Sequence, residues 1–435
     1  MNIREIALSL LEGYEAGGKY VNLALSSHIT DKLTDSESSA LTALLYTTVE
    51  QKLRYDYYIA ALSGRSISDI NLTTRNILRL GLCQILDMHS IPDFAAVNET
   101  VKLAKGRGER SFVNGVLRTA VRKKDDMPMP PKEKNYRRYL SVKHSFPLWI
   151  VKLLCDVVGE GEIDALLQFY NSCKYTDITV NKIKSTPDAV KDELSSHGLD
   201  VYTHIDTGLT LRVDRSFNPE NVEGFRLGNF FIQDTASAIA ARVLSPSPSD
   251  VVVDVCSAPG GKSFATAILM GDCGEIHSLD LHESKLSLIE GGRDRLGLKS
   301  VTASCRDALN PDTELFGRAD KVICDVPCSG LGVLSKKPDL RYKSEESIAE
   351  LPALQGKILA SSSQYLKSGG VLLYSTCTLN PAENEDVVRA FLEENCDFYA
   401  VDFAVGGLSS KNGCLTLIPH IHKTDGFFMA KLKRK

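Results

Sequence analysis

The sequence lacks the features expected of a membrane-embedded or secreted protein. No stretch approaches the roughly 20 consecutive apolar residues that a membrane-spanning helix needs. The first residues, Met1–Glu5, bring charge at once without a long apolar core, which argues against a secretory signal. The 11 cysteines form no Cys-x-x-Cys pair and no cysteine–histidine cluster of the zinc type. We therefore expect reduced thiols, no bound metal, no membrane partner and a cytoplasmic location.

A large net charge is also absent, since the formal charge is only -4 over 435 residues. The charge is nevertheless uneven. Between Lys102 and Lys143 there are thirteen Lys and Arg against four acidic residues. A basic stretch in a mildly acidic protein is either a phosphate-binding surface or a solvated linker between domains, and the sequence leaves both readings open.

The length predicts two to four domains, and the first of them reads as all-α. Across residues 1–126, apolar residues recur at helical spacing, as from Asp35 to Leu62 and again around Phe94 and Phe112. Thr34, with a glutamate three residues on, predicts a capping box at the start of the first of these helical segments. Few strand patterns occur here.

A proline-rich break at 127–131 predicts the end of this domain, because helices rarely cross such a run. Residues 132–225 then mix helical spacing with strand patterns at 178–181 and 209–213, which predicts a small α+β module. A helix at 187–194 with Thr186 as its N-cap belongs to the same module. We expect Trp149, the only tryptophan, to pack in a core.

Residues 226–435 alternate strand and helix patterns to the end of the chain. Short apolar runs of this kind are typical of parallel strands that are buried on both faces. The alternation therefore predicts a doubly wound, Rossmann-like α/β sheet. The runs lie at 251–255, 276–280, 321–325 and 371–375.

The first of these strands leads into a glycine turn that is a candidate ligand site. Its two glycines would let the backbone approach a ligand closely, and the next helix would direct free N–H groups at an anion. The spacing matches neither the NAD fingerprint nor a P-loop, and a plain strand–helix turn is the alternative. The residues of the turn are Cys256, Ser257, Ala258, Pro259, Gly260, Gly261 and Lys262.

Acidic residues follow successive strands and favour a nucleoside ligand. Asp280 lies twenty residues after Gly260, the spacing at which an acid commonly binds a ribose hydroxyl. Asp307 follows the next segment, and Asp325 ends the strand at 321–325. Together these acids favour an adenosine ligand with a small anionic group over a phosphate.

Two cysteines also stand at strand ends, Cys328 after the strand at 321–325 and Cys377 after the strand at 371–375. A buried, inert thiol is the ordinary interpretation of a free cysteine. Methylation of cytosine at carbon 5 would, however, explain the pair, because a thiolate that adds to carbon 6 activates the ring. Asp325 could stabilise the adduct, and Lys262 could lower the pKa of a neighbouring thiol. From this chemistry alone, either cysteine could attack.

Three motifs resemble those of the NOL1/NOP2/Sun family of RNA (cytosine-5)-methyltransferases. They are Asp-Val-Cys-Ser-Ala-Pro-Gly-Gly-Lys-Ser from Asp254, Asp-Val-Pro-Cys-Ser-Gly-Leu-Gly from Asp325, and Ser-Thr-Cys-Thr-Leu-Asn-Pro-Ala-Glu-Asn-Glu from Ser375. The segments that begin at Phe94 and Phe112 resemble an RNA-binding NusB domain. This order of domains is similar to that of the bacterial 16S rRNA methyltransferases of the family.

The resemblance implies a role for each motif residue. Cys377 matches the nucleophile and Cys328 the cysteine that assists release of the product. Cys256 to Lys262, with Asp280, Asp307 and Asp325, match contacts to S-adenosylmethionine, and Asp325 and Lys262 also border the target base. The segment from Asp425 to Ala430 resembles the last strand motif. Ser257 and Ser263 stand where alanine and threonine are common, which leaves the chemistry unchanged.

The sequence thus favours a methyltransferase that acts on 16S rRNA or on an assembling small ribosomal subunit. The same chemistry on tRNA remains an alternative, and so does a non-catalytic RNA-binding assembly factor. We expect the basic stretch to contribute to RNA binding. The cations expected to take part include Lys123, Lys124, Arg137 and Arg138.

Overall fold

The computed structural model describes residues 2–17, 33–172, 175–205 and 207–435, which form two compact units. Unit 1 comprises Met1–Asn171 together with Leu334–Lys343, and unit 2 comprises Ser172–Val333 together with Ser344–Lys435. Ten residues from the C-terminal half of the chain thus belong to the N-terminal unit. None of the helices in the described part combines the length and the apolar character that crossing a lipid bilayer requires.

The described part of unit 1 is helical, as the sequence predicted. Its helices are α1 (Ile3–Gly17), α2 (Asp35–Glu50), α3 (Lys52–Ser63), α4 (Leu72–Leu86), α5 (Asp93–Val101), α6 (Arg107–Arg122), α7 (Tyr136–His144), α8 (Leu148–Val158) and α9 (Ile163–Ser172).

The capping box at the start of α2 is confirmed, because Glu37 N donates to Thr34 Oγ1 at 3.3 Å and Thr34 N donates to Glu37 Oε2 at 3.0 Å. The helical segment from Asp35 to Leu62 is two helices, however. The chain turns at Gln51, whose backbone angles of φ -94° and ψ 10° end α2 before α3 begins. Apolar spacing continues through the break and therefore does not reveal it.

Helix α4 forms the centre of unit 1 and is buried over most of its length. Its one buried arginine, Arg79, is neutralised by Asp56 at 2.6 Å and Glu15 at 2.9 Å. Gly81 lets α6 approach closely, since a Cβ at this position would lie 2.6 Å from a methyl carbon of Leu117. The core of the unit is thus built around a helix whose buried arginine is paired with acidic residues of α1 and α3.

Two apolar side chains in unit 1 are less buried than the rest of the apolar faces of their helices. Phe94, one of the apolar residues that predicted this helix, is 73% exposed at the start of α5. Trp149, expected to pack in a core, is only partly buried near the start of α8. Both residues lie in the first turn of a helix. The apolar spacing of the sequence extends into that turn, but fewer neighbouring side chains cover it there.

The segment Leu334–Lys343 is anchored in unit 1 by Arg341. This side chain is fully buried, and its guanidinium carbon lies 3.9 Å from the centroid of the Phe146 ring. Arg341 Nη2 lies 3.4 Å from Glu50 Oε1, and Tyr342 OH donates to the carbonyl of Glu50 at 3.3 Å. Glu50 is the last residue of α2, and the carbonyl end of a helix favours a cation.

Unit 2 begins with a small antiparallel sheet whose strand order is β2-β3-β1-β4. The N-cap predicted at Thr186 is confirmed, since its side chain accepts from Ala189 N at 3.2 Å. The elements are β1 (Thr176–Val180), α10 (Pro187–Ser196), β2 (Val201–Tyr202), β3 (Thr210–Val213), α11 (Glu223–Arg226) and β4 (Phe230–Ile232).

A larger sheet follows, in the order β10-β14-β9-β8-β5-β6-β7, with β13 also paired to β14. Its strands are β5 (Val251–Asp254), β6 (Glu275–Asp280), β7 (Val301–Cys305), β8 (Ala319–Asp325), β9 (Leu366–Thr376), β10 (Phe398–Ala400), β13 (Cys414–Leu417) and β14 (Phe427–Arg434), while β11 (Ala404–Val405) and β12 (Leu408–Ser409) form a separate pair. Its helices are α12 (Thr235–Leu244), α13 (Gly261–Leu269), α14 (Glu283–Leu296), α15 (Glu345–Ile348), α16 (Leu351–Ser363), α17 (Glu385–Glu394) and α18 (Pro419–His422).

Strands β5 to β9 of this sheet are parallel, which confirms the doubly wound α/β fold, and antiparallel strands extend it past β9. Strand β5 pairs with β6 on one side and β8 on the other. The order in which successive strands are added to the sheet therefore reverses at β5. Doubly wound proteins bind ligands at the carboxyl ends of the strands beside such a reversal.

The borders of the two units differ from the borders expected at 126–132 and 225–226. Helix α7 belongs to unit 1, where Ser145, directly after it, accepts from Leu53 N of α3 at 3.1 Å. Strand β4 lies past residue 225 but completes the small sheet by pairing with β1. That 1–126, 132–225 and 226–435 are separate domains stays a prediction.

Candidate active site at the strand ends

The glycine turn lies between β5 and α13, where its backbone is held to the neighbouring strand. Ser257 N donates to the carbonyl of Leu279 at 2.8 Å, and Ala258 N donates to Asp280 Oδ2 at 3.1 Å. Gly260 has a φ of +107°, and a Cβ there would collide with the ring of Phe264. Only glycine fits this position, and the first N–H groups of α13 are left to face a ligand.

The acids at the strand ends occupy different environments. Asp280 is buried at the end of β6 and accepts Ala258 N and His282 N. Asp307 is partly buried and uses its carboxylate within its own turn, where it accepts Leu309 N and Asn310 Nδ2 at 2.9 Å each. The structure thus joins Asp280 to the glycine turn, whereas the carboxylate contacts of Asp307 are local.

These surroundings fit an adenosine ligand. Leu281 directly follows Asp280 and is 57% exposed, and Leu309 lies two residues after Asp307 and is 41% exposed. An exposed apolar side chain next to a hydrogen-bonding acid suits a purine ring and its ribose. Cys256, by contrast, packs its side chain against the core, and burial raises the pKa of its thiol, so only its backbone can face a ligand.

Lys262 and Asp325 form an ion pair at the edge of this crevice. Lys262 Nζ lies 2.7 Å from Asp325 Oδ2 and 5.2 Å from the centroid of the Phe427 ring. Ser375 Oγ donates to the other carboxylate oxygen at 2.7 Å. Burial alone would lower the pKa of Lys262, but the charge of Asp325 raises it above its usual value. The amine therefore remains protonated at neutral pH.

The two cysteines predicted to act together do lie together. Cys328 Sγ lies 3.1 Å from Cys377 Sγ, which is too far for a disulfide of about 2.05 Å but within hydrogen-bonding distance. The hydrogen bond to Cys377, burial and nearby carboxylates raise the pKa of Cys328 well above its ordinary value. Cys328 is therefore a neutral thiol at physiological pH.

Two further residues that the structure brings to this region were not predicted from the sequence to have a role. Glu383 is fully buried and accepts hydrogen bonds from the loops that carry both cysteines. Asp254 is buried at the end of β5, where it accepts from Ser263 Oγ at 2.7 Å. Both belong to the quoted motifs, so membership of a motif was the only signal that could have pointed to them.

No metal centre accompanies these groups in the described residues, where no cluster of three His, Cys, Asp or Glu side chains is arranged to hold an ion. The polar groups that meet at the strand ends are an ion pair, two thiols and buried carboxylates. The set combines a protonated lysine with a thiol that could act as a nucleophile and with groups that could accept a proton.

Comparison with known proteins agrees with this arrangement. A family model described as 16S rRNA methyltransferase RsmB/F matches residues 241–433, and the NusB family model matches residues 1–122. Probable ribosomal RNA small subunit methyltransferase B from Bacillus subtilis (strain 168) is 34% identical over 100% of this chain and 99% of its own length. The protein of the same name from Synechocystis sp. is 33% identical over 100% of both chains.

Among solved structures, the crystal structure of PH0851 matches with a TM-score of 0.81 and 27% identity. The match covers 99% of this chain and 98% of that chain. The predicted NusB-like domain and the predicted methyltransferase domain are thus both confirmed, in the predicted order.

Proposed function

The chain belongs to the ribosomal RNA small subunit methyltransferase B family, and on this premise we propose that it methylates carbon 5 of a cytosine in 16S rRNA. We propose S-adenosylmethionine as the methyl donor, and 16S rRNA, free or in an assembling small subunit, as the acceptor. The proposal rests on the 3.1 Å contact between Cys328 Sγ and Cys377 Sγ at the edge of the crevice.

The glycine turn and the acids of the crevice would hold the methyl donor. Bound S-adenosylmethionine supplies an electrophilic methyl group on a sulfonium centre. The backbone from Cys256 to Lys262 would contact it, and the buried carboxylate of Asp280 is placed at the end of β6, where a ribose hydroxyl commonly binds. We assign Asp307 and Asp325 to the same site, with Asp325 facing both donor and target base.

Cys377 is the proposed nucleophile. Carbon 5 of cytosine attacks a methyl group only after a thiolate has bonded to carbon 6, which turns the ring into an enamine. Because the pKa of Cys328 is raised, its thiol keeps its proton and can donate a hydrogen bond to Cys377 Sγ, which would stabilise a thiolate at Cys377. Lys262 carries a positive charge that stabilises this thiolate, and Asp325 can hydrogen-bond the base.

Cys328 then completes the reaction. Once Cys377 is bonded to carbon 6, it no longer accepts a hydrogen bond as a thiolate, so the main cause of the raised pKa of Cys328 disappears. The Cys328 thiol would then lose its own proton to a water molecule and, as a thiolate, accept the proton on carbon 5. Loss of that proton re-forms the double bond of the ring, breaks the Cys377–carbon 6 bond and returns Cys377 as a thiolate.

Two cysteine variants test this proposal. Cys377→Ala should abolish methyl transfer to 16S rRNA while leaving the binding of S-adenosylmethionine in calorimetry intact, because its thiol lies outside the glycine turn. Cys328→Ala should instead accumulate a covalent RNA adduct, seen as a shifted band on a denaturing gel. Cys273→Ala, which removes an exposed thiol of unit 2, is the matched control and should behave like the wild type.

Full activity of Cys377→Ala, or absence of the shifted band for Cys328→Ala, would contradict the assigned roles. Parallel assays on 30S particles, free 16S rRNA and tRNA decide the substrate, and efficient methylation of tRNA alone would overturn the rRNA assignment. Failure to bind S-adenosylmethionine at all would leave an RNA-binding assembly factor as the remaining interpretation.

A further inference from the structure

A buried carboxylate, Glu383, lies between the two cysteine loops. Its side chain has no exposed surface, and its described partners are neutral donors. Oε2 accepts Ser329 N at 2.8 Å and Gln355 Nε2 at 3.0 Å, and Oε1 accepts Asn380 Nδ2 at 3.0 Å. A buried carboxylate costs free energy unless hydrogen bonds satisfy it, and three donors here share its two oxygens.

These donors reach the peptide units on both sides of Cys328. Ser329 directly follows this cysteine, and its backbone N–H is bound to Glu383. Pro327 directly precedes it, and its carbonyl accepts from Gln355 Nε2 at 3.0 Å, from the same amide that donates to Glu383. The backbone of Cys328 is therefore held from before and after by one connected set of hydrogen bonds.

The same set reaches the loop that carries Cys377. Asn380 lies three residues after Cys377 and donates to Glu383. The carbonyl of Glu383 accepts from Tyr374 OH at 2.6 Å, which ties Glu383 to strand β9 just before Cys377. A direct link between the loops adds to this, since Ser329 Oγ lies 2.7 Å from Thr378 Oγ1.

We infer that Glu383 is the positioning residue that holds Cys328 against Cys377 and reserves Cys328 for the release step. The inference rests on the proposed function. Two features favour a carboxylate here over an amide. A carboxylate offers two acceptor oxygens, whereas an amide would turn its NH2 group toward a donor. Its negative charge is also one of the causes, after the Cys377 hydrogen bond and burial, that raise the pKa of Cys328.

Two substitutions separate the geometric effect from the effect of charge. Glu383→Gln removes the charge but can keep its oxygen on Ser329 N and Gln355 Nε2, at the loss of either the hydrogen bond from Asn380 Nδ2 or the one that Asn380 Oδ1 accepts from Ala382 N. Glu383→Ala removes both the charge and the hydrogen bonds. Glu385→Gln makes the same neutralisation on an exposed residue two positions away and is the matched control.

The diagnostic readout is the alkylation of Cys328 as a function of pH, resolved by peptide mass spectrometry in a Cys377→Ser background. Glu383→Gln should shift the midpoint of alkylation to lower pH by on the order of one pH unit, because a neighbouring negative charge has been removed. Glu385→Gln should leave the midpoint unchanged. A midpoint that stays in place in Glu383→Gln would overturn the electrostatic part of the inference.

The second readout is turnover in the full-length enzyme that keeps both cysteines. Glu383→Ala should lower kcat on the order of 100-fold with little change in the KM for S-adenosylmethionine, and should accumulate the same covalent RNA adduct as Cys328→Ala. Glu383→Gln should recover most of the lost activity. If Glu383→Ala fails to fold, a Glu383→Gln enzyme with unchanged Cys328 alkylation and unchanged turnover still refutes the inference.

Failure of this inference and failure of the proposed function can be told apart. If Cys377→Ala remains active, the proposed chemistry falls and the role of Glu383 falls with it. If both cysteine variants behave as proposed but Glu383→Ala turns over normally without adduct, only the positioning role of Glu383 is wrong.

Discussion

The buried carboxyl group of Asp254, at the end of the strand that leads into the glycine turn, makes the stability of the fold depend on pH. Its Oδ2 accepts from Ser263 Oγ, which in turn accepts from Ser278 Oγ, each at 2.7 Å. Its Oδ1 is buried without a hydrogen-bond partner among the described residues. Burial raises the pKa of this carboxyl to about 7, because the charged form is poorly solvated there. The folded protein therefore holds a proton on Asp254 under conditions in which an unfolded chain would release it.

This proton makes stability fall as pH rises. Between about pH 4 and pH 7 the folded state binds more protons at Asp254 than the unfolded state, so the free energy of unfolding decreases across that window. The size is a few kcal/mol, since one unit of pKa shift corresponds to about 1.4 kcal/mol. Asp254→Asn removes this contribution, and we expect its urea midpoint to fall less than that of the wild type between pH 4.5 and pH 8.

Asp294→Asn, which alters a carboxylate whose side chain is 68% exposed, is the control and should follow the wild type. If wild type and Asp254→Asn changed in parallel across this range, Asp254 would have to be ionised in the folded protein.

At the scale of the residue, the sequence supported only part of the site. Cys328, Cys377, Lys262 and Asp325 could be singled out because their motifs carry the chemistry and each ends or follows a predicted strand or begins the helix after one; their roles stay predictions. The role proposed for Glu383 could not be predicted, because its donors come from three segments with no fixed spacing along the chain.

Helix α6 carries exposed cations that form no ion pair with an acid among the described residues. Its apolar face is buried in the core, while Arg107, Arg118 and Arg122, with Lys123 directly after the helix, are exposed. Other cations of the basic stretch are paired: Lys124 with Asp93 at 3.0 Å, Arg137 with Asp156 at 3.3 Å, Lys143 with Asp164 at 2.8 Å and Lys102 with Glu99 at 2.6 Å. Of the four cations singled out from the sequence, two are thus already partly neutralised.

We expect the exposed cations of α6 to contribute more to RNA binding than the paired ones. Replacing Arg107, Arg118, Arg122 and Lys123 by glutamine should weaken the binding of 16S rRNA. It should also reduce the slope of log affinity against log salt by about 3, because each lost phosphate contact removes about 0.7–0.9. Filter binding at several salt concentrations measures both effects.

The control carries the same four neutralisations at Lys102, Lys124, Arg137 and Lys143, whose partners are acidic. The slope of log affinity against log salt should change less in this control than in the variant of the exposed cations. Equal slopes in the two variants would mean that pairing with acids does not decide which cations meet the RNA. An unchanged slope in both would make the basic stretch a linker.

At the scale of elements, the parallel strands were the most predictable part. β5, β6, β8 and β9 are buried apolar runs, and such runs stand out in a sequence. Strand β7 was not predicted, because it lies at the edge of the sheet and most of its residues are exposed. The break between α2 and α3 was missed because the apolar period continues across it.

At the scale of the whole molecule, the chain passes between the two units three times. It leaves unit 1 after Asn171, returns with Leu334 and leaves again after Lys343. A domain border is sought at a break such as the proline-rich run at 127–131, and no such run borders the segment Leu334–Lys343, although four of its ten residues are Lys or Arg. Its place in unit 1 depends on the fit of Arg341 against Phe146 and Glu50, and no local pattern reports a partner about 200–300 residues away along the chain.

The passage of Leu334–Lys343 into unit 1 means that the protein cannot be divided in two by a single cut of its gene. A polypeptide of residues 1–171 would lack the arginine that covers Phe146, so we expect it to melt at a lower temperature than unit 1 does within the full chain. A synthetic peptide of residues 334–343 should raise that melting temperature, and the same peptide with Arg341→Ala should not. If neither peptide changed the melting temperature of the free fragment, residues 1–171 would be stable without the segment. If only the unaltered peptide raised it, folding of unit 1 would be completed by ten residues that are translated after most of unit 2.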